Sequence, residues 1–394
     1  MIYLDSAATT FHKPPAVYRA VETAMRTCAS PGRGGYAAAQ AAERTVYRCR
    51  ALAAELFDCP PESVCFTSCA TEGLNIAIRT LVRPGDRVVI SGLEHNAVTR
   101  TLAGIGAEIA VVRAPLFDRA AWLEGFDRAV KSGTKAVVCL HVSNVFGAVL
   151  PLAELGELCA ARAVPLVVDA SQSAGLLPVR PRVWQAAFTA MPGHKGLLGP
   201  QGTGLLLCGT QPEPLRFGGT GSRSLDQAMP EELPDRVEAG TLNVPGIAGL
   251  GAGIAWLLGR DPTALREREN RLLRRAETGL RSLGAALWSG KDQAGVLSFR
   301  LPGWDCEEAA AAYSDRGVAL RAGLHCAPLA HESAGTLPEG TIRLSVSALT
   351  RPEEIEGFLA VTRELRGMKE SRPQASGEGR NLEKLHPESL RTRE

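Results

Sequence analysis

Apolar residues along the chain occur in short runs that are separated by segments of helix length. The runs that read as strands lie at 87–90, 109–112, 136–142, 165–168 and 186–188. Helical spacing of apolar residues predicts helices over 16–27, 36–57 and 152–162. Buried strands that alternate with helices form a mainly parallel sheet covered on both faces, so the pattern predicts an α/β fold.

One strand-to-helix junction predicts a phosphate site. The run 63–68 reads as a strand, and 69–81 has apolar residues at helical spacing. The backbone N–H groups and the positive end of the helix dipole would point at one place, where Thr71 adds a hydroxyl. Taken alone, Thr71 is better explained as an ordinary N-cap threonine. The junction lacks the glycine pattern of a nucleotide P-loop or a dinucleotide site.

The C-terminal part of the chain, from residue 216 on, differs in composition from the part before it. Glycine and proline are dense over 216–246, which predicts a long ordered loop region, and a helix-rich segment follows over 247–283. A smaller α/β domain is predicted from strands at 296–300, 318–321 and 341–346 and a helix at 306–314. From Lys369 onward, charges mixed with Pro, Gly and Ser predict a flexible tail.

Composition narrows the functional classes. A chain of 394 residues with 45% apolar and 22% charged residues fits a large domain plus a smaller one. The net charge of +2 gives no electrostatic basis for binding nucleic acid or an anionic membrane. The N-terminus lacks a basic region before an apolar core, and no apolar run reaches membrane-spanning length, so we expect a cytoplasmic protein that acts on small molecules.

The ten cysteines are expected to be reduced, and most of them buried. They are scattered through a chain much larger than a disulfide-stapled domain, and several lie within apolar runs. Cys65 and Cys69 have no second pair at zinc-ligand spacing. A structural metal site is therefore not predicted.

Lys195 is the first candidate for chemistry. It follows His194 and lies in a glycine-dense turn between two apolar runs, 188–191 and 205–207. Because glycine has no Cβ, such a turn leaves room for a bulky group near the backbone, which suits a Schiff base between the lysine and an aldehyde cofactor. A solvated surface lysine is the alternative.

Further polar residues follow the other predicted strands and would meet Lys195 at one sheet edge. Asp169 offers a carboxylate to keep a pyridine nitrogen protonated, and His95 offers a flat ring for its face. Asn144 and Gln172 offer hydrogen bonds to a ring hydroxyl. Each residue alone has a plainer reading: a capped loop histidine, a helix N-cap aspartate, a turn asparagine. Together they favour one cofactor site.

A family resemblance rests on several short motifs in a fixed order. They read VDASQ at 168–172, GHK at 193–195, EAGT at 238–241, RAGLHCA at 321–327 and TIR at 341–343, after an opening YLDSAA at 3–8. In these motifs the chain resembles the cysteine desulfurases of the class V aminotransferase branch of pyridoxal-phosphate enzymes, over about residues 2–365. Leu324, where these enzymes usually carry histidine, and Pro192, where they usually carry a small residue, depart from the pattern.

The resemblance implies a fold type I homodimer with a large cofactor domain and a smaller α/β C-terminal domain. The implied division is an N-terminal segment 1–15 packing with the small domain, a large domain 16–250, a small domain 251–367 and a tail 368–394. The implied cofactor is pyridoxal 5'-phosphate, joined to Lys195 through a Schiff base.

The resemblance also implies roles for individual residues. The implied cofactor-binding residues are Ala70, Thr71, His95, Asn144, Asp169, Gln172, His194, Lys195 and Thr241, the last reaching the phosphate of the other subunit. The implied substrate-binding residues are Arg343, Asn144 and Arg321, with Arg343 as a bidentate clamp for the substrate carboxylate. The implied catalytic residues are Lys195, His95 and Cys326.

The expected reaction converts L-cysteine to L-alanine and leaves a persulfide on Cys326, from which a sulfur-acceptor protein is a candidate recipient. His325 is a candidate base for the thiol. A buried small residue is the alternative interpretation of Cys326. The alternative functions are a selenocysteine lyase acting on L-selenocysteine, a class V aminotransferase, and an inactive scaffold that binds pyridoxal phosphate.

Overall fold

The computed structural model describes residues 1–32 and 34–370. The strands are β1 (Ile2–Tyr3), β2 (Val64–Thr67), β3 (Arg87–Ser91), β4 (Glu108–Val112), β5 (Thr134–Leu140), β6 (Leu166–Asp169), β7 (Ala186–Pro192), β8 (Gly204–Cys208), β9 (Ala286–Trp288), β10 (Val296–Arg300), β11 (Val318–Ala319), β12 (Arg321–Gly323) and β13 (Thr341–Ser345). The helices are α1 (Pro15–Thr27), α2 (Ala37–Phe57), α3 (Ala70–Leu81), α4 (Asn96–Ile105), α5 (Arg119–Ala129), α6 (Leu152–Ala161), α7 (Val244–Leu258), α8 (Pro262–Ser282), α9 (Cys306–Ser314), α10 (Pro328–Ser333) and α11 (Pro352–Glu370).

A seven-stranded sheet forms the centre of the larger part, in the order β2-β8-β7-β6-β5-β3-β4. Strands β3 to β7 pair in parallel, whereas β8 runs antiparallel to both β2 and β7. Helices connect most of the parallel strands, as the alternating sequence pattern requires. The predicted α/β class with a mainly parallel sheet is confirmed.

Both faces of this sheet are apolar, which explains why its strands read as continuous apolar runs. Along β5, Ala136 and Val138 pack into one core cluster, and Val137 and Cys139 pack into the other. Successive side chains of a strand point to opposite faces, so a strand covered on both sides needs apolar residues at every position. Helices α3 and α4 contribute to the first cluster, and α2, α5, α6 and α7 contribute to the second.

The smaller part is built on the antiparallel sheet β12-β13-β10-β9. Its core contains residues of α8, α9 and α11, such as Leu280, Tyr313 and Phe358. The N-terminal segment joins this core: β1 pairs in parallel with β11, and Leu4 is fully buried in the same cluster. Helix α7 spans the expected boundary between residues 250 and 251 and packs against α1 and α2.

Two local expectations are wrong. The segment 318–321 is not one strand, because β11 pairs with β1 while β12 belongs to the four-stranded sheet. The predicted tail begins at 368, yet α11 continues to Glu370. The rest of that tail, 371–394, lies outside the described residues.

Within the described ranges, none of the helices combines the length and the apolar character needed to cross a lipid bilayer.

The long loop region between β8 and α7 is tied to the sheet by a buried ion pair. Glu238 accepts hydrogen bonds from both terminal nitrogens of Arg50 on α2, at 2.8 and 2.9 Å, and from the backbone N–H of Phe66 at 2.7 Å. The two charged side chains are only 8% and 5% exposed. The pair therefore anchors the loop on β2.

We expect Arg50→Ala to lower the free energy of unfolding by about 3–5 kcal/mol, because it leaves the Glu238 carboxylate buried without its partner. Urea unfolding followed by circular dichroism measures this change. The matched control is Arg26→Ala, which removes an exposed pair with Glu22 and should leave the unfolding midpoint unchanged. Equal, small effects of the two variants would contradict the anchoring role.

Candidate functional site

A cavity of about 250 Å³ opens at the carboxyl edge of the seven-stranded sheet. The residues that line it come from both parts of the chain. The predicted site residues among them are Ala70, Thr71, His95, Asn144, Asp169, Gln172, His194, Lys195, Arg321 and Arg343. The structure therefore brings together nearly all of the predicted site.

The sheet topology explains this convergence. His95 follows β3, Asn144 follows β5, Asp169 ends β6 and Lys195 follows β7. Because β3, β5, β6 and β7 are parallel neighbours, their carboxyl ends lie at the same edge. Thr71 lies in the first turn of α3 rather than at the N-cap, which is Cys69, so the N-cap interpretation of Thr71 is wrong.

Lys195 is partly buried beside charged groups. Burial lowers its pKa from 10.5 to about 8, although the nearby Asp169 carboxylate opposes the shift. A lysine with this pKa has a much larger neutral fraction near neutral pH than an ordinary lysine. The neutral amine can attack a carbonyl group and can accept a proton.

The glycines around Lys195 serve a different purpose from the one predicted. A Cβ on Gly196 would overlap the backbone carbonyl oxygen of Ala174, and a Cβ on Gly193 would overlap the hydroxyl of Thr203. The interpretation that the glycines leave room for a ligand is therefore wrong at these positions. They let neighbouring segments of the chain approach each other, which fixes the backbone that carries Lys195.

Asp169 and His95 are held in defined orientations. Oδ1 of Asp169 accepts a hydrogen bond from the backbone N–H of Ser171 at 2.8 Å, and the residue is 5% exposed. Asp169 ends a strand and is followed by turns, so it is not a helix N-cap. His95 is the N-cap of α4, where its Nδ1 accepts from the N–H of Ala97 at 3.0 Å.

Burial lowers the pKa of His95, and Lys195 and Arg321 lower it further against the opposing effect of Asp169. The ring is therefore neutral near neutral pH. Since Nδ1 is an acceptor, the proton is on Nε2. His95 thus presents a neutral flat ring to the cavity.

The amide and imidazole groups at the cavity wall form hydrogen bonds to other parts of the protein. Asn144 donates from Nδ2 to the carbonyl of His325 at 2.8 Å, and its buried Oδ1 has no hydrogen-bond partner among the described residues. Gln172 donates from Nε2 to the carbonyl of Ala7 at 3.0 Å. His194 Nδ1 lies 3.0 Å from Oγ1 of Thr9, and burial lowers its pKa to about 4.

Arg343 is 1% exposed and is held on two sides. Its Nη1 donates to the carbonyl of Asn144 at 3.0 Å, and its Nη2 donates to Oδ1 of Asp5 at 2.7 Å. Its buried Nε has no partner within residues 1–32 and 34–370. Asp5 was missed as a site residue from the sequence, where the only signal is an acidic residue in the apolar opening YLDSAA.

Cys326 is not one of the residues that line the cavity, but its neighbours Arg321 and His325 do line it. Cys326 is exposed, and its sulfur lies 3.6 Å from Nη2 of Arg321. His325 and Cys326 both have left-handed backbones, with φ of 50° and 56°, and the N–H of Asn96 donates to the Cys326 carbonyl at 2.8 Å. The alternative of a buried cysteine is therefore wrong.

The surroundings of Cys326 differ from the sequence interpretation in two respects. The loop lies between β12 and α10 rather than between two strands, because Pro328 begins a helix. His325 is 3% exposed, its Nε2 lies 3.1 Å from the carbonyl of Thr341, and burial lowers its pKa to about 2. His325 is therefore too weak a base to activate the thiol.

Thr241 lies apart from this cavity. It lines a second cavity of about 460 Å³, together with Tyr47, Arg50 and Glu238. Within one chain, Thr241 is therefore not positioned beside Lys195.

The chain is similar in sequence and in fold to known proteins over most of its length. The sequence profile of the family described as "Aminotransferase class-V" matches residues 2–358. A relative from Methanothermobacter thermautotrophicus named "Probable cysteine desulfurase" is 32% identical, over 93% of this chain and 95% of the relative. A relative from Escherichia coli O139:H28 named "Cysteine desulfurase" is 29% identical, over 83% of this chain and 84% of the relative.

Among solved structures, the apo cysteine desulfurase from Thermococcus onnurineus NA1 superposes with a TM-score of 0.87 at 31% identity, covering 93% of this chain and 95% of that one. The cysteine desulfurase CsdA from Escherichia coli gives a TM-score of 0.82 at 25% identity, over the same shares of the two chains. The resemblance inferred from the motifs is confirmed. The chain belongs to the class-V aminotransferase family.

Proposed function

We propose that the protein is a pyridoxal-phosphate-dependent cysteine desulfurase that converts L-cysteine to L-alanine and takes the sulfur onto Cys326. The observation that carries the proposal is an exposed thiol beside Arg321, a residue that lines the same cavity as Lys195, Asp169 and Arg343. The chemistry of an aminotransferase requires a lysine such as Lys195 and a carboxylate such as Asp169, but it does not require a thiol such as that of Cys326.

The residues of the cavity fit pyridoxal phosphate. The unpaired Oδ1 of Asn144 needs a donor, and no side chain in the described structure caps the N-terminus of α3, which leaves its first N–H groups for a phosphate beside Thr71. The cavity volume lies just below the range of roughly 300–1,000 Å³ that is typical of small-molecule sites. Lys195 supplies the amine for the aldehyde group.

When bound, the cofactor supplies an electron-poor ring that stabilises negative charge at the α-carbon of an amino acid. Asp169 would hold the pyridine nitrogen in its protonated form, and His95 would cover one face of the ring. Lys195 Nζ would remove the proton from the substrate Cα and return it to the product. Asn144 and Gln172 would contact the ring oxygen.

Cys326 would complete the reaction as the sulfur acceptor. Its thiolate attacks the substrate sulfur; the bond between that sulfur and the substrate Cβ breaks, and a sulfur–sulfur bond forms on Cys326 Sγ. The electron pair of the broken bond stays on the substrate Cβ, where one proton takes the place of the sulfur, and alanine leaves. The exposure of Cys326 would let a sulfur-acceptor protein reach the persulfide.

The active form is proposed to be a cytoplasmic homodimer. In this assembly Thr241 would contact the phosphate bound by the other subunit, which accounts for its position outside the Lys195 cavity of its own chain.

The production of alanine from L-cysteine, measured against total sulfane sulfur, tests the proposal. Equal amounts of the two products are expected. Amino-group transfer to a keto acid without sulfur release would favour the aminotransferase, activity with L-selenocysteine alone would favour the lyase, and binding of the cofactor with no turnover would identify a scaffold.

Arg343→Ala is expected to lower kcat/KM for L-cysteine on the order of 10²-fold or more, because the substrate carboxylate loses a charge-assisted bidentate contact. Steady-state kinetics measures the effect. Arg343→Lys is the matched control, since it keeps the charge and loses the planar fork, and we expect an intermediate loss. Loss of bound cofactor in parallel with the activity would show that Arg343 is structural instead.

A further inference from the structure

The substrate-binding arginine of the proposed site already holds a carboxylate that belongs to the protein. Oδ1 of Asp5 lies 2.7 Å from Nη2 of Arg343, and the two side chains are 19% and 2% exposed. The side chain of aspartate and the α-carboxylate of an amino acid are the same chemical group. Asp5 therefore makes, with Arg343, a contact of the kind that suits a substrate carboxylate.

The backbone of Asp5 is fixed to the strand that carries Arg343. Asp5 forms a bridge with Ser345 of β13, the N–H of Ser345 donates to the carbonyl of Leu4 at 2.8 Å, and the N–H of Ala7 donates to Oγ of Ser345 at 2.8 Å. Asp5 can thus leave Arg343 by a rotation of its side chain, without movement of the segment.

Arg343 would keep its orientation after such a rotation. Its Nη1 remains bonded to the carbonyl of Asn144, and its Nε is unpaired in the described structure. Arg321 also lines the cavity, so an incoming carboxylate would meet a second guanidinium there. A ligand without a carboxylate could not replace the ion pair between Arg343 and Asp5.

We propose that Asp5 is an internal competitor for the substrate carboxylate: it pairs with Arg343 in the ligand-free protein and is displaced when an amino acid binds. The inference rests on the proposed function, which supplies the amino-acid substrate. Asp5 stabilises only the ligand-free state by this contact. Its removal must therefore strengthen the binding of any ligand that displaces it.

The test uses the holoenzyme, with L-alanine as the carboxylate ligand and L-alaninamide as the ligand without a carboxylate. For Asp5→Asn we expect the dissociation constant of L-alanine, from calorimetric titration, to fall roughly tenfold, the change produced by one pair of moderate strength. The affinity for L-alaninamide should stay the same. Asp5→Glu, which keeps the charge, should restore weak alanine binding. An unchanged or weaker affinity of Asp5→Asn for L-alanine would overturn the proposal.

A measurement on the wild-type protein keeps the proposal testable if Asp5→Asn fails to fold. A crystal structure of the holoenzyme with L-alanine should show the Asp5 carboxylate away from Arg343, and a retained contact would overturn the proposal. Alanine binding does not require desulfuration. Failure of alanine production from cysteine would therefore refute the proposed function while these binding results still decide the role of Asp5.

Discussion

Lys195→Ala is expected to lower turnover of L-cysteine by at least roughly 10³-fold, since Lys195 is proposed both to attach the cofactor and to move the Cα proton. The fold should survive, because burial disfavours the charged form of Lys195, and a single partly buried lysine contributes little to the apolar core. Alanine production and urea unfolding measure the two effects. Lys135→Ala, which changes an exposed lysine of β5, is the matched control and should leave turnover unchanged.

Two measurements on the wild-type protein examine the same residue. After borohydride reduction, peptide mapping should find the cofactor joined to the peptide that contains Lys195; attachment at Lys131 or Lys135 would contradict the assignment.

Because the pKa of Lys195 is lowered to about 8, the neutral amine accumulates as the pH rises through that value. Uptake of pyridoxal phosphate by the apoprotein should rise with a midpoint near pH 8, whereas an ordinary lysine would give a midpoint near its pKa of about 10.4.

Cys326→Ser should reduce alanine formation from L-cysteine to background while it leaves cofactor binding and L-cysteine binding intact. A serine hydroxyl is scarcely ionised at neutral pH and is a poor nucleophile toward sulfur. The proposed binding steps use Lys195, Asp169 and Arg343, which line the cavity and are unchanged by the substitution. Absorbance titration with L-cysteine measures binding, and amino-acid analysis measures turnover.

Cys28→Ser is the matched control for this experiment, because Cys28 is a free, partly buried cysteine at the end of α1 and does not line the Lys195 cavity. The Cys28→Ser variant should be fully active.

Limited alkylation of the wild type should modify Cys326 first, since the nine other cysteines are buried or partly buried. If Cys326→Ser produced alanine at the rate of the wild type, the persulfide mechanism would be excluded in favour of the lyase or aminotransferase alternative.

Local patterns in the sequence are sufficient to predict the large sheet and most of the site. The strands of the large sheet are apolar at successive positions because both of its faces are buried, and a parallel sheet gathers the residues after its strands at one edge. The grouping of His95, Asn144, Asp169 and Lys195 at one site therefore follows from the order of strands and polar residues along the chain.

Features that depend on distant contacts could not be predicted in this way. Gly196 is required by the carbonyl of Ala174, which comes close only in the folded chain. The break between β11 and β12 arises because β11 finds its partner in β1, far away in sequence. Asp5 and Arg343 are separated by 338 positions, and no pattern in either segment indicates that they pair.

Cys326 is proposed to receive the sulfur of L-cysteine. The most direct test is a single turnover of the holoenzyme with L-cysteine, followed by peptide mass spectrometry and alanine analysis of the same sample. We predict a mass increase of one sulfur atom on the peptide that contains Cys326, in an amount equal to the alanine formed. Alanine accompanied by elemental sulfur, with Cys326 unmodified from the earliest time point, would contradict sulfur transfer to Cys326.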